Sequence, residues 1–164
     1  MTYSPGYQAL RRGRVSLAGQ VYLLTTTTAG RRHLFSRFAI ARTVCQCMAD
    51  PACWPRCSLL CWVLMPDHWH GMVCLDAEGD ISTTMNRWKA IATRRLHRQG
   101  LAGQVWAKGF HDHALRYEDD LRHVARYIVA NPLRAGLVGD VLDYPYWDCV
   151  WYTPQAISQP VVES

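Results

Sequence analysis

Apolar and polar positions along the 164-residue chain follow two rhythms, a period near two and a period near 3.6, and these assign most of its elements. Residues 21–28 are rich in β-branched and aromatic side chains and predict a strand. Residues 35–48 place Phe38, Ala41, Val44 and Met48 at helical spacing, and Asp50-Pro51 ends that helix. Residues 59–65 and 69–75 predict two strands, with Pro66-Asp67 supplying the turn of an antiparallel hairpin. Residues 81–98 read as an amphipathic helix with Met85, Trp88, Ile91, Ala92 and Leu96 on its apolar stripe, capped by Asp80 or Ser82. A glycine-containing loop, 100–109, leads to a short strand within 110–116. Residues 118–130 predict a third helix facing the core through Leu121, Val124, Ala125 and Ile128; Asn131-Pro132 stops it, and 133–138 allow one further turn. The chain before Gly19 reads as irregular and basic, and the chain from Gly139 onward as an aromatic-rich tail.

The order β-α-β-β-α-β-α is satisfied by one antiparallel sheet with two crossover helices on one face. That is an α+β, ferredoxin-like (RRM-like) fold, an arrangement also used by nucleic-acid-binding modules. The length suits a single domain, taken as residues 1–151, followed by a tail at 152–164. No apolar run approaches the ~20 residues needed to span a bilayer, and no signal-peptide pattern opens the chain. The expected location is cytoplasmic.

Lysine and arginine total 18 against 13 acidic residues, a net charge of +5, and all but Lys89 and Lys108 of the basic residues are arginine. Arginine suits bidentate phosphate contacts. The cations cluster as Arg11, Arg12 and Arg14, as Arg31 and Arg32, and as Arg87, Lys89, Arg94, Arg95 and Arg98. With seven Trp and eight Tyr, this favours a nucleic-acid partner. Arg14, Arg87, Lys89, Arg94 and Arg95 are candidate phosphate contacts. Trp106 and Trp88 are candidate stacking platforms, with core packing the competing role for Trp88.

His68-Trp69-His70 carries the chemistry. Residues two apart on a strand share a face, so the two imidazoles stand side by side while Trp69 turns into the core. Two such imidazoles form half of a divalent-metal site. Far along the chain, Tyr127 and Asn131 lie four apart on the third helix and share a face. Asn131 offers a hard carbonyl oxygen and Tyr127 a phenol able to act as a nucleophile. The pairs His111/His113 and Cys57/Cys61 offer competing readings: lining the site, supporting it or a purely structural role for the first, a zinc site with His68 and His70 for the second. The cysteine spacing is not that of a standard zinc finger, and seven cysteines without a secretion signal favour buried, reduced thiols.

His68-Trp69-His70 resembles the His–hydrophobic–His (HUH) motif of single-tyrosine transposases. More specifically, the stretches Trp62 to His70 and Ala125 to Val138 resemble the signatures of REP-associated tyrosine transposases. Shorter matches lie at Gly13-Arg14, Gly19 to Leu23, Gly109 to His113 and Asp143 to Asp148. The resemblance implies a bacterial, nucleoid-associated enzyme. It would cut and rejoin single-stranded DNA at hairpin-forming repetitive extragenic palindromes through a covalent 5′-phosphotyrosine. It makes Tyr127 the nucleophile and His68, His70 and Asn131 the ligands of Mg²⁺ or Mn²⁺, and it puts the nucleophile on a C-terminal catalytic helix. It leaves open a monomer or a homodimer. A non-catalytic hairpin-binding protein of the same fold is the alternative.

Overall fold

The computed structural model describes residues 18–116 and 119–152. Arg11, Arg12, Arg14 and residues 153–164 of the expected tail lie outside them. The described elements are β1 (Val21–Thr27), α1 (Phe38–Ala49), β2 (Cys57–Met65), β3 (His68–Leu75), α2 (Ile81–Arg98), β4 (His111–Ala114), α3 (Leu121–Val129), α4 (Asn131–Arg134) and β5 (Trp147–Cys149), with short 3-10 turns between some of them. The sheet runs β4-β1-β3-β2-β5, with every pairing antiparallel. Its first four strands have the ferredoxin-like order expected.

Alternation along the strands gives the sheet two apolar faces. Tyr22, Leu24, Trp62, Leu64, Trp69, Val73 and Leu75 point to one side, where α1 and α2 close a large core. Phe35, Trp54, Trp69, Trp88 and Trp106 interlock there, with neighbouring ring centroids 4.9 to 5.9 Å apart. Each such aromatic pair contributes ~0.5–1.5 kcal/mol beyond its buried area. Cys61, Val63, Met65 and Met72 point to the other side, where Ala125, Ile128 and Val129 of α3 cover them. The third helix therefore packs across the sheet from the first two.

The C-terminal region corrects the expected tail. Residues 147–149 form β5 beside β2, and Tyr144 Oη donates to the Leu64 carbonyl at 2.6 Å. Phe38 is a second correction. It is 64% exposed, because the turn Leu34–Ser36 ahead of α1 buries Phe35 in its place. Asn131 does not end the helical path. It opens α4, with Ala130 N still bonded to Arg126 O and Arg134 N to Ala130 O.

The cysteine reading resolves through register. A bulge between Leu59 and Cys61 puts Cys57 among the α1/α2-side residues and Cys61 in the core under α3. The two thiols thus cannot join one tetrahedral site. All seven cysteines are free, and burial pushes the Cys45 and Cys53 thiols up to about 12. Among the described residues no three His, Cys, Asp or Glu side chains cluster to hold a metal by themselves, so any ion here needs a ligand of another type, such as an amide.

Candidate active site

The pleat of β3 sends His68 and His70 to the face that α3 covers and sends Trp69 to the opposite core, where it is fully buried. The imidazole centroids are 4.7 Å apart with planes at 86°. Each ring is anchored through Nδ1. His68 Nδ1 lies 2.6 Å from Asp67 Oδ1, and His70 Nδ1 lies 2.7 Å from Thr25 Oγ1. Thr25 is the direct cross-strand partner of His70. With the proton on Nδ1 of each ring, both Nε2 lone pairs are free to bind an ion, the arrangement by which outer groups fix a metal-binding histidine.

The electrostatics favour a neutral His70 ring. Burial, ahead of the neighbouring His68 and the guanidinium groups of Arg134 and Arg31, pushes His70 down to about 4. Burial draws the Asp67 carboxyl upward, but its hydrogen bond with His68 and the charges of His68, Arg31 and His33 outweigh this and hold it below the usual range. Arg31 Nη1 sits 3.4 Å from Asp67 Oδ2.

The helical half of the site is built by α3 and α4. Asp120 caps α3 by accepting from the backbone of Arg122 and His123. Ala125, Ile128 and Val129 bury the inner stripe, so Tyr127 faces outward, 59% exposed. Asn131 follows one turn later, half-buried at the first position of α4. The Arg134 guanidinium carbon lies 3.8 Å over the Tyr127 ring, and the same charge is felt at His70. Arg134 thus touches the tyrosine and adds positive charge near His70. Two imidazole nitrogens and an amide oxygen form a donor set that suits a divalent cation such as Mn²⁺, so the residues present fit such an ion.

Other candidate residues are dispersed. His111 lies in the same cross-strand row as His70, separated from it by Thr25, and His113 lies one row on beside Leu23; both are exposed. Arg94 is exposed. Arg87 donates through Nε to the Ala52 carbonyl at 2.8 Å, and Arg95 pairs with Asp50. Lys89 Nζ donates to the carbonyls of Ala107 at 3.1 Å and Gly109 at 2.7 Å, and burial pushes it down to about 8. Trp88 is fully buried, and Trp106 is 5% exposed, leaving neither ring a free face for a base. The stacking role expected of Trp106 is therefore corrected: the residue bridges to Thr28 and packs in the aromatic core.

The sequence placed Asp67 only in a turn and Arg31 only in a basic cluster, and it gave Thr25 and Arg134 no role in the site. Asp67 was in view, since it adjoins His68, and Arg134 follows Tyr127 by seven residues, the spacing of one helical face. Thr25 needs the β1–β3 register, which no local pattern supplies.

The fold, with a histidine pair on the sheet face that α3 covers and a tyrosine projecting outward from α3, is that of a class, the small ferredoxin-like HUH transposases. Residues 17–131 match the family model described as "Transposase IS200 like", and the chain belongs to that family. It is 38% identical over 85 residues to a REP-associated tyrosine transposase of Escherichia coli (strain K12), a match covering 52% of this chain and 50% of that protein's length. It resembles the structure of a REP-associated tyrosine transposase bound to a REP hairpin, with 27% identity, a TM-score of 0.65 and coverage of 82% of this chain and 79% of the other. A crystal structure from Deinococcus radiodurans R1 shares the fold at 19% identity and a TM-score of 0.52, over 71% of this chain and 92% of that one. Among the described residues no helix is long and apolar enough to cross a membrane.

Proposed function

We propose that this transposase cleaves and rejoins single-stranded DNA at hairpin-forming repetitive palindromes through a covalent bond between Tyr127 and a 5′ phosphate. The observation that carries the reading is the pair of imidazoles with both Nδ1 atoms anchored, on the sheet face from which Tyr127 projects into solvent. The E. coli and hairpin-bound relatives support the choice of substrate.

His68, His70 and Asn131 would hold a Mg²⁺ or Mn²⁺ ion, which when bound supplies Lewis-acid polarisation of the scissile phosphate. Asp67 and Thr25 keep the Nε2 atoms directed at that position. The outward placement of Tyr127 lets the phenol approach a strand along the α3 surface without leaving the helix. A protonated phenol is a weak nucleophile, so the charges of Arg134 and Arg31, both felt at His70, help offset repulsion between phenolate and phosphodiester. The Tyr127 oxygen forms the new P–O bond as the 3′ oxygen leaves. Since the phosphotyrosine keeps an ester in place of the one broken, rejoining needs no outside energy source. Of the proposed DNA contacts, exposed Arg94 is freest to meet a phosphate, whereas Arg87, Lys89 and Arg95 would first exchange an internal partner; Arg14 lies outside the described residues.

The test is a labelled hairpin oligonucleotide with a single-stranded flank, incubated with Mn²⁺ or Mg²⁺. The expected product is a denaturation-resistant protein–DNA adduct that is absent in Tyr127→Phe, while hairpin binding persists. Cleavage that survives Tyr127→Phe would reject the nucleophile. Tight hairpin binding with no adduct in either metal would favour a binding protein of the same fold.

A further inference from the structure

Tyr127 is an exposed side chain with two rotatable bonds, yet its reaction requires one alignment. Attack within a bound complex gains most of its advantage from held geometry, and small misplacements cost large rate factors. The inner face of α3 cannot provide the hold, because it is occupied by Ala125, Ile128 and Val129 packing on the sheet. What touches the ring comes from the next helix.

Arg134 folds back over Tyr127 from two turns farther along. Its guanidinium carbon sits 3.8 Å from the ring centre, and its Nη1 donates to the Tyr127 carbonyl at 2.7 Å. One planar group thus grips the residue at both ends, stacking on the ring and bonding the backbone. A lysine ammonium cannot do both, since it lacks the flat face and the in-plane fork of donors. No carboxylate pairs with Arg134 among the described residues, so no ion pair among them competes with the ring. The route from Asn131 to Arg134 is the single turn of α4, so the arginine and the proposed amide ligand sit on one short element.

We infer that Arg134 is the positioning residue of this site, clamping the Tyr127 ring in the orientation from which its oxygen reaches the scissile phosphate. The inference rests on the function proposed above and adds a residue that acts through the tyrosine.

Its test compares Arg134→Ala and Arg134→Lys with the wild type in single-turnover adduct formation at saturating hairpin and saturating Mn²⁺. The rate is expected to fall about 10–100-fold in Arg134→Ala, with hairpin affinity held within about threefold and lysine restoring only part of the loss. Full recovery by lysine would overturn the clamp, because charge alone would then suffice. A loss of hairpin affinity as large as the loss of rate would overturn it in favour of a DNA contact. A second measurement does not depend on catalysis: NMR of ¹³C-labelled tyrosine rings, with the Tyr127 signals assigned through Tyr127→Phe. In Arg134→Ala those signals are expected to move and to report faster ring motion; unchanged signals would overturn the clamp. If the wild type forms no adduct, the proposed function fails, and the ring signals alone decide whether Arg134 holds the side chain.

Discussion

Thr25 and Asp67 each commit one oxygen to one imidazole, and neither is itself a ligand candidate. Replacing Thr25 by valine keeps the branched shape and removes the Oγ1 partner of His70. We expect Mn²⁺ affinity to fall about 10–100-fold, the usual cost of losing an outer partner of a metal-binding histidine, measured by calorimetric titration. An unchanged affinity would mean that His70 needs no orientation from β1. Asp67→Asn should weaken the ion by a similar factor. The arginines divide in the same way. Arg94→Ala is expected to weaken hairpin binding and to lower the slope of log affinity against log salt by about one phosphate contact. Arg95→Ala is expected to leave that slope alone and to lower stability modestly, since Arg95 ties α2 to Asp50 at the end of α1. Equal slopes for both variants would remove Arg94 from the binding surface.

At the level of elements, the long periodic segments were readable in advance. The helix expected at 81–98 forms as Ile81–Arg98, and the hairpin forms with its turn at Pro66-Asp67. Three features were not readable. β5 has only three residues and exists because β2 offers an open edge. The side of the sheet taken by α3 depends on which strand residues face out. The abundance of tryptophan pointed toward base stacking, but Trp54, Trp69, Trp88 and Trp106 are spent on the core. Packing there is tight enough to dictate one glycine. A Cβ on Gly71 would lie 2.1 Å from Trp69 Cη2 and Cζ2, so Gly71→Ala should displace the indole and cost on the order of 1–3 kcal/mol, read by chemical denaturation. A neutral result would show that the ring can slide. Lys89 makes a further prediction. Its folded pKa, about 8, is below the 10.5 of the free side chain. Between those values the unfolded chain binds more protons, so this group's contribution to stability rises with pH. The thermal midpoint of the wild type, relative to Lys89→Met, should therefore climb between pH 7.5 and 9.5; a fall would show that the two carbonyls outweigh the burial.

Across the whole molecule, one sheet supports two cores, and the division of labour follows from it. The α1/α2 side holds the larger aromatic core, while the α3 side holds a smaller one and the candidate site. Most of the candidate site was legible because an HxH on a strand and a Tyr-x3-Asn on a helix are local patterns; the residues that steady them were hidden because they arrive through register and through a helical path that continues past Asn131 into α4. The second core also makes α3 indispensable. A chain cut before α3 would leave Val63, Met65 and Met72 uncovered and should bind the dye ANS and lose its sharp unfolding transition. A descendant that lost the proposed cleavage therefore could not discard the helix that bears Tyr127, because the same helix covers the second core. It can change only the outward side chains. Within this lineage, keeping the helix says nothing about activity; under the proposed function, a relative's capacity to cut DNA turns on what stands at 68, 70, 127 and 131.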